Sequence, residues 1–395
     1  MSALHERIRT PALLGLAIAT CLASPANATI IYSGPSTYTI NSTVTDNIIV
    51  NNSAAVLNVE SGGVVQGVND PTLLGAVRTQ AGALNVRGNG RIEAGAGQGT
   101  AISMRGIPAV VRLSEQATVT GNVVMEFNVG GWRDESSPVR LHVQDQAQIN
   151  GNVIYAGYMR LQDQARINGN IANADNGSIR LDMAGGEVAG AVVFGGLNDY
   201  VFNMSGGSIL GGFRGGAGYV DMTMTGGYIG NGFRTGDAVD GTISGGKIDG
   251  GIELWGSTGG ASNLIVTGGR FDTVAGDYLL SMTNSLPWNP SWSNTLDILG
   301  GQWGYNEAGL GFLFDTGVNF SITGWDLTFI NGLLSGYLLD GSWFSNQFTF
   351  GSNWSGTFTI NNVPNNVPEP GTLGLLLASA AGMMFARRRR SSARS

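Results

Sequence analysis

The stretch Leu181-Asp182-Met183-Ala184-Gly185-Gly186-Glu187-Val188 decides the fold, because the chain repeats its pattern many times. It reappears 21 residues later as Phe202-Asn203-Met204-Ser205-Gly206-Gly207-Ser208-Ile209, and 20 residues after that as Met222-Thr223-Met224-Thr225-Gly226-Gly227-Tyr228-Ile229. Apolar residues alternate with polar ones in each copy, which places the apolar side chains on one face of a β-strand. Paired glycines then mark a turn. Each copy is therefore predicted to contain strand and turn but no helix.

Eleven copies of the pattern apolar-x-apolar-x-x-Gly/Ala-x-apolar align along the chain. The Gly or Ala position falls at Gly63, Gly90, Ala117, Ala147, Ala165, Gly186, Gly207, Gly227, Gly246, Gly269 and Gly301. No long run has a period of 3.6 residues, and the Leu-x-x-Leu-x-Leu-x-x-Asn frame of leucine-rich repeats is absent. The repeat therefore predicts an all-β protein, a parallel β-helix (solenoid) of about eleven coils with one copy in each coil.

The composition changes after the last copy. Residues 303–360 are rich in aromatic residues, and the dipeptides Asn331-Gly332 and Asp340-Gly341 favour hairpin turns. This segment is predicted to add three to five antiparallel strands that cover the open C-terminal edge of the solenoid. Its tryptophans either pack the core of this cap or provide platforms for sugar rings; they are Trp303, Trp325, Trp343 and Trp354.

Three asparagines, Asn122, Asn152 and Asn170, each follow a glycine at the same place in successive copies. They are predicted to stack about 4.8 Å apart as an amide ladder. Later copies have Gly212 and Gly232 at this place, so the ladder is predicted to stop midway. Such a ladder either satisfies the backbone of a turn or contributes to a ligand site.

A set of arginines stands directly before the leading leucine of successive copies, and its members are Arg112, Arg140, Arg160 and Arg180. This position faces outward, so the arginines are predicted to line up at the coil spacing, where like charges repel unless something compensates them. One interpretation is a self-paired column with the acidic residues nearby, which are Glu115, Asp145, Asp163 and Asp182. The other is a shallow strip that binds anionic sugar groups through bidentate guanidinium contacts.

The N-terminus is predicted to be a signal peptide. Two arginines precede the apolar run from Ala12 to Ala23, and Ala26 and Ala28 are the small residues that a signal peptidase reads. Cleavage is predicted after Ala28, with lipidation of Cys21 as the alternative. Loss of residues 1–28 would remove the only cysteine, so the mature protein is predicted to have no disulfide.

The C-terminus has three parts in order: Val367-Pro368-Glu369-Pro370, the apolar run from Gly371 to Ala386, and Arg387-Arg388-Arg389-Arg390. The apolar run has 16 residues, which is about 24 Å as a helix and marginally enough to span a bilayer. The arginines resist translocation and are expected to stay in the cytoplasm. Everything before Pro370 is therefore predicted to lie across the membrane.

These three parts resemble the sorting tail of the PEP-CTERM family of exported Gram-negative bacterial proteins, with the match at Val367-Pro368-Glu369-Pro370-Gly371-Thr372. The resemblance implies that an inner-membrane exosortase recognises the tail and cleaves it near the motif, in organisms that usually make exopolysaccharide. It covers less than a tenth of the chain and implies nothing about the body. The alternative is a plain membrane anchor, which has no use for Pro-Glu-Pro.

The predicted segments are a signal peptide at 1–28, solenoid repeats at 29–302, an aromatic-rich β cap at 303–360, a linker at 361–366, a sorting signal with a transmembrane segment at 367–390, and a basic cytoplasmic tail at 391–395. The solenoid is thus predicted to be flanked by a signal helix and a transmembrane sorting helix.

The mature chain is predicted to be acidic. Of 21 Lys and Arg, 14 remain after two are lost with the signal and five with the tail, and 27 of 28 Asp and Glu remain, for a net charge of −13. Such a chain is a poor partner for nucleic acid. His142 is the only histidine after signal removal, which argues against a serine triad or a zinc site. No catalytic, cofactor-binding or metal-binding residues are predicted, and no cofactor.

The sequence predicts an exported, exosortase-processed protein that is structural or binds carbohydrate, secreted or held at the cell surface within an exopolysaccharide matrix. Its predicted partners are exosortase and signal peptidase as processing enzymes, exopolysaccharide, and transiently the inner membrane. The alternative is a polysaccharide lyase or glycoside hydrolase on the same scaffold, with Asp145, Asp163 and Asp182 as a candidate carboxylate set. Against this alternative, a catalytic site usually breaks the repeat that carries it.

Overall fold

A computed structural model describes most of the body of the chain. The described residues are 29–69, 75–106, 108–125, 137, 139–173, 177–196, 198–216, 218–236, 238–256, 260–284, 294–304, 309–315, 317–352 and 354–364. The predicted signal peptide at 1–28 and the predicted segments at 367–390 and 391–395 lie outside these residues. Over the described ranges, the structure contains no helix with the length and apolar character needed to cross a membrane.

The strands in chain order are β1 (Thr29–Tyr32), β2 (Thr37–Ile40), β3 (Thr43–Thr45), β4 (Asn47–Val59), β5 (Val64–Gln66), β6 (Val77–Val86), β7 (Arg91–Glu93), β8 (Thr100–Met104), β9 (Ala109–Leu113), β10 (Thr118–Thr120), β11 (Asn122–Met125), β12 (Val139–Val143), β13 (Gln148–Asn150), β14 (Val153–Tyr155), β15 (Gly157–Leu161), β16 (Arg166–Ile167), β17 (Ile171–Asn173), β18 (Ile179–Val188), β19 (Val192–Phe194), β20 (Tyr200–Ile209), β21 (Phe213–Gly215), β22 (Val220–Ile229), β23 (Phe233–Thr235), β24 (Val239–Asp249), β25 (Ile252–Gly256), β26 (Asn263–Val266), β27 (Arg270–Asp272), β28 (Leu280–Asn284), β29 (Asn294–Ile298), β30 (Gln302–Trp303), β31 (Phe312–Phe314), β32 (Val318–Ile330), β33 (Leu333–Leu338), β34 (Trp343–Phe350) and β35 (Phe358–Asn362). The described part of the chain is all-β, as predicted, and its strands belong to one large sheet.

Most of these strands pair in three parallel ladders, which the chain visits in the same order repeat after repeat. Strands β8, β11, β14 and β17 belong to the first ladder, and β9, β12, β15 and β18 belong to the second. The third ladder includes β7, β10, β13 and β16. The longer strands β18, β20, β22 and β24 each supply both the second and the third ladder. Each strand therefore finds its backbone hydrogen-bond partners in the repeats before and after it.

The aligned Gly/Ala column is confirmed by the register of the third ladder. The residue two positions after each member is in register with its counterpart in the next repeat, and these residues are Val65, Ile92, Val119, Ile149, Ile167, Val188, Ile209, Ile229, Ile248, Phe271 and Trp303. All of them are buried. A small or absent side chain is needed in the column, since a Cβ on Gly90 would lie 2.4 Å from the Val59 carbonyl oxygen of the preceding repeat.

The alignment of the leading leucines is wrong by two residues in two copies. Leu141 pairs with Val111 and Met159, whereas Leu113 and Leu161 both pair with Val143. A strand alternates with a period of two, so a shift of two residues keeps every side chain on its own face and leaves the hydrophobic pattern unchanged. The pattern therefore identifies the face correctly but not the register.

The core consists of inward-facing columns. Leu141, Met159 and Leu181 are in register in the second ladder and are fully buried. Aromatic rings continue the core in later repeats, where Phe213 and Phe233 stack with centroids 4.8 Å apart. This distance equals the spacing of adjacent strands, so the rings repeat with the backbone.

The predicted cap contains antiparallel pairs, β32 with β33 and β33 with β34. Parallel pairing nevertheless continues past residue 303, because β34 joins the first ladder through β31 and β35 joins the second through β32. Phe312 and Phe348 stack across one of these pairs with centroids 4.7 Å apart. Residues 303–360 are thus a continuation of the ladders with a hairpin inserted, and not the wholly antiparallel unit that the sequence predicted.

The asparagine ladder is confirmed and satisfies backbone groups. The side-chain oxygen of Asn122 accepts a hydrogen bond from the backbone N–H of Asn152 at 2.8 Å, and that of Asn152 accepts one from Asn170 at 2.9 Å. The Asn170 oxygen accepts the last bond, from the N–H of Ala191 at 2.8 Å. Each asparagine thus ties its own repeat to the next one.

We expect Asn152→Ala to lower the free energy of unfolding by about 1–2 kcal/mol, because it leaves the backbone N–H of Asn170 without its acceptor. The matched control is Asn168→Ala, which removes an exposed side-chain bond to Asn150 and should change stability by less than about 0.5 kcal/mol. Urea denaturation of both variants measures the difference. Equal losses would contradict a specific role for the ladder.

Candidate functional site

The four predicted arginines face outward on the second ladder, but they lie in two rows and not in one column. In the first row Arg112 is in register with His142, and His142 with Arg160. In the second row Arg140 is in register with Tyr158, and Tyr158 with Arg180. The single column was wrong because the leucine alignment was displaced by two residues. No two of these four arginines are direct cross-strand neighbours.

An aromatic ring separates the two arginines of each row. Tyr158 is fully buried. Its ring meets the His142 ring edge-on with centroids 5.7 Å apart, and the Arg180 guanidinium lies 5.8 Å from its centroid. A cation near the face of an aromatic ring is attracted to it. The rings of His142 and Tyr158 separate the arginines of each row and thereby limit the repulsion between them. The sequence did not predict this separation.

The self-paired interpretation is supported at Arg180. The Arg180 Nε lies 2.9 Å from Asp182 Oδ1 and 3.1 Å from Oδ2. Asn203 donates a further hydrogen bond to Asp182 Oδ1 at 2.8 Å. Asp182 is thus engaged by two neighbours, and Arg180 is directed toward it.

The other three acidic residues occupy a turn. Glu115, Asp145 and Asp163 all have φ between 56° and 59°, a left-handed conformation that is unusual for residues other than glycine. A carboxylate oxygen of Asp145 accepts the N–H of Glu115 at 2.9 Å, and one of Asp163 accepts the N–H of Asp145 at 3.2 Å. These carboxylates therefore form a ladder that supports a strained turn. Asp182 lies outside this turn, on β18, where it contacts Arg180 and Asn203.

A shallow groove of about 300 Å³ lies beside the arginine rows. Arg160, Arg180 and Asp182 line one side, and Asn203 and Thr223 continue it along the first row. Arg112 is exposed and Arg160 half-buried. The groove thus has guanidinium groups at one end and amide and hydroxyl groups at the other.

The second row becomes acidic farther along the chain. Asp221 and Asp240 are cross-strand neighbours, and the Tyr219 hydroxyl donates a hydrogen bond to Asp240 Oδ2 at 3.1 Å. Burial raises the pKa of Tyr219 to about 12, together with this hydrogen bond and the negative charges of Asp240, Asp221 and Asp199. The outward face therefore carries its positive charge near Arg112 to Arg180 and negative charge in the repeats that follow.

The tryptophans of residues 303–360 differ in burial. Trp303 is buried and stacks on Phe271 with ring centroids 4.1 Å apart, and Trp354 packs against Phe350 with centroids 4.7 Å apart. Trp343, in contrast, is 55% exposed. Core packing therefore explains Trp303 and Trp354 but not Trp343.

No group of three or more His, Cys, Asp or Glu side chains suited to a metal ion occurs in the part of the chain that the structure describes.

Comparison with known proteins identifies the C-terminal segment. A model of the PEP-CTERM protein-sorting motif matches residues 366–390, which confirms the sorting signal predicted at 367–390. The motif indicates an exported protein that an exosortase sorts and processes. No curated protein and no solved structure matches the chain.

We expect Asp145→Ala to lower the free energy of unfolding by about 1–2 kcal/mol, because alanine lacks the acceptor for the Glu115 N–H and tolerates a positive φ poorly. The control is Asp145→Asn, which keeps an acceptor oxygen and a side chain that tolerates this conformation. It should remain within about 0.5 kcal/mol of the unmodified protein. Denaturation of both variants measures this, and a loss from Asp145→Asn as large as from Asp145→Ala would contradict the structural role.

Proposed function

We propose that this chain is an exported matrix protein whose body associates with exopolysaccharide through the outward face of the second ladder. The sorting motif at residues 366–390 supports residence outside the inner membrane. We propose in addition that signal peptidase removes residues 1–28 after Ala28. The body would then reach the exterior without a cysteine and depend on its ladders for stability.

The body is proposed to be a parallel β-solenoid, as the order of pairing supports. The chain passes through the three ladders in turn, and the strands of each ladder are parallel neighbours. Strands about 4.8 Å apart would make the second ladder, from β2 to β35, a face about 60 Å long. A long, regular face of this kind suits contact with a polymer that is itself a repeat.

The observation that carries the proposal is the pair of arginine rows on that face. Arg112 and Arg160 flank His142, and Arg160 borders the groove lined by Asn203 and Thr223. Guanidinium groups bind carboxylate or phosphate groups through paired hydrogen bonds, and amides and hydroxyls bind sugar hydroxyls. The net negative charge of the remaining body would confine an anionic glycan to this basic region.

The alternative function, a glycoside hydrolase, needs two carboxyl groups that flank the glycosidic bond to be cleaved. Asp145 and Asp163 instead accept hydrogen bonds from the backbone of their turn, and Asp182 is ion-paired to Arg180. These contacts favour a non-catalytic role for the three residues. Incubation with the polysaccharide tests this directly, since release of unsaturated or reducing ends by the protein would favour the lyase or hydrolase.

We expect Arg112→Gln/Arg160→Gln to weaken binding to the acidic exopolysaccharide of the producing organism by about tenfold, which corresponds to the loss of about 1.4 kcal/mol. The matched control is Arg214→Gln/Arg234→Gln, a pair of neighbouring arginines on the first ladder, because it removes the same charge. Binding at two salt concentrations measures the effect. Unchanged affinity, or equal losses in both double variants, would contradict the proposed face.

A further inference from the structure

A cleft of about 530 Å³ lies where the hairpin strand β34 approaches the end of the third ladder. The residues on which the inference depends are Gln302 and Trp303 on β30 and Trp343, Ser345 and Gln347 on β34. This volume lies within the usual range for small-molecule sites. The cleft is separate from the arginine rows, and none of those four arginines lines it.

The turn before β34 is fastened to the preceding repeat. The backbone N–H of Gly301 donates to Asp340 Oδ2 at 2.7 Å, and the Ser342 hydroxyl donates to the Gly301 carbonyl at 2.9 Å. The N–H of Leu339 donates to the carbonyl of Leu299 at 3.0 Å. These bonds hold the strand that carries Trp343 at a fixed height above β30. The β34 side of the cleft is therefore held by hydrogen bonds to the preceding repeat.

Trp343 presents an exposed ring at the edge of this cleft. Its side chain is 55% exposed, and its ring meets Tyr337 edge-on at 5.0 Å. Tyr337 in turn stacks on Trp325 with centroids 5.7 Å apart and an interplanar angle of 11°. The three rings support one another, so the Trp343 ring is held in place although much of it faces water. An immobilised exposed ring can bind an apolar surface with little loss of side-chain entropy.

The side chains of β34 alternate between the two sides of the strand. Trp343, Ser345 and Gln347 are exposed, whereas Asn346 is buried on the other side. Successive side chains of a strand point to opposite faces, so Ser345 and Gln347 lie on the same side as Trp343. A hydroxyl and an amide therefore border the same space as the exposed ring.

The chemistry of the lining selects an uncharged ligand. Amides, hydroxyls and aromatic rings line the cleft, and no Asp, Glu, Lys or Arg appears among its described lining residues. A ligand that suits this surface has an apolar face for the ring and several hydroxyls for the amides. Sugar rings have both, because their axial C–H groups form an apolar face and their hydroxyls donate and accept hydrogen bonds at the edge.

We propose that this cleft binds a neutral sugar unit of a polysaccharide, with the ring stacked on Trp343 and a hydroxyl bound by Ser345. Gln302 and Gln347 bind further hydroxyls at the rim. The inference rests on the proposed association with polysaccharide for its biological setting, but its chemistry does not involve the arginine rows. It gives the protein a neutral site at the C-terminal end of the body and a basic face in the middle.

The test titrates the full chain in detergent micelles with three neutral trisaccharides of glucose, cellotriose, maltotriose and laminaritriose, by calorimetry. We expect at least one to bind, and Trp343→Ala to weaken that binding by about tenfold or more. The matched control is Trp255→Ala, since Trp255 is 48% exposed on β25 and lies outside the cleft lining. Gln347→Ala tests the rim, and should weaken binding by a few-fold. Circular dichroism of each variant checks that it is folded.

Failure of all three trisaccharides to bind would overturn the proposal, and so would equal losses from Trp343→Ala and Trp255→Ala. The variant Arg112→Gln/Arg160→Gln separates the two sites, because it should leave the neutral trisaccharide affinity unchanged. If trisaccharides bind but the acidic polymer does not, the proposed binding to the arginine rows is contradicted and the proposed sugar site in the cleft is supported. If the acidic polymer binds and trisaccharides do not, the proposed sugar site in the cleft is contradicted and the proposed binding to the arginine rows is supported.

Discussion

Backbone hydrogen bonding between successive repeats is the constraint on which the rest of the structure depends. The strands are short, and few could satisfy their N–H and C=O groups within their own repeat, so they rely on parallel partners 18 to 38 residues away. That requirement explains the small-residue column, since a Cβ at Gly90 would collide with the carbonyl of Val59. It also explains why the aromatic core repeats at 4.8 Å, as in the pair Phe213 and Phe233.

Polar side chains extend the same pairing into the turns. Asn122 and Asn152 tie one corner of successive repeats together, and Asp145 and Asp163 do so in a left-handed turn. The chain has a single cysteine, Cys21, so no disulfide within the chain can hold its repeats, and these ladders take on that role. The proposed neutral-sugar cleft lies where this regularity ends, at the place where β34 approaches the end of the third ladder.

The sequence predicts the all-β class, the Gly/Ala column, the asparagine ladder and the sorting motif, because each depends on local spacing. It does not predict the register of the arginines, since the displacement of Leu113 and Leu161 by two residues leaves the pattern of faces intact. Nor does it predict the exposure of Trp343, because Trp303 and Trp343 look alike in composition and only the hairpin separates their environments.

Disulfide trapping tests the central claim, that successive repeats stack in this register. In the full chain carrying Cys21→Ser, the pair Arg112→Cys/His142→Cys places two thiols on directly opposed positions of adjacent strands, at a separation that a disulfide can bridge. Arg112→Cys/Arg140→Cys places them where the leucine alignment of the sequence predicts neighbours. The account predicts rapid, nearly complete oxidation of the first pair and little of the second under the same mild oxidant. Preferential oxidation of the second pair would contradict it.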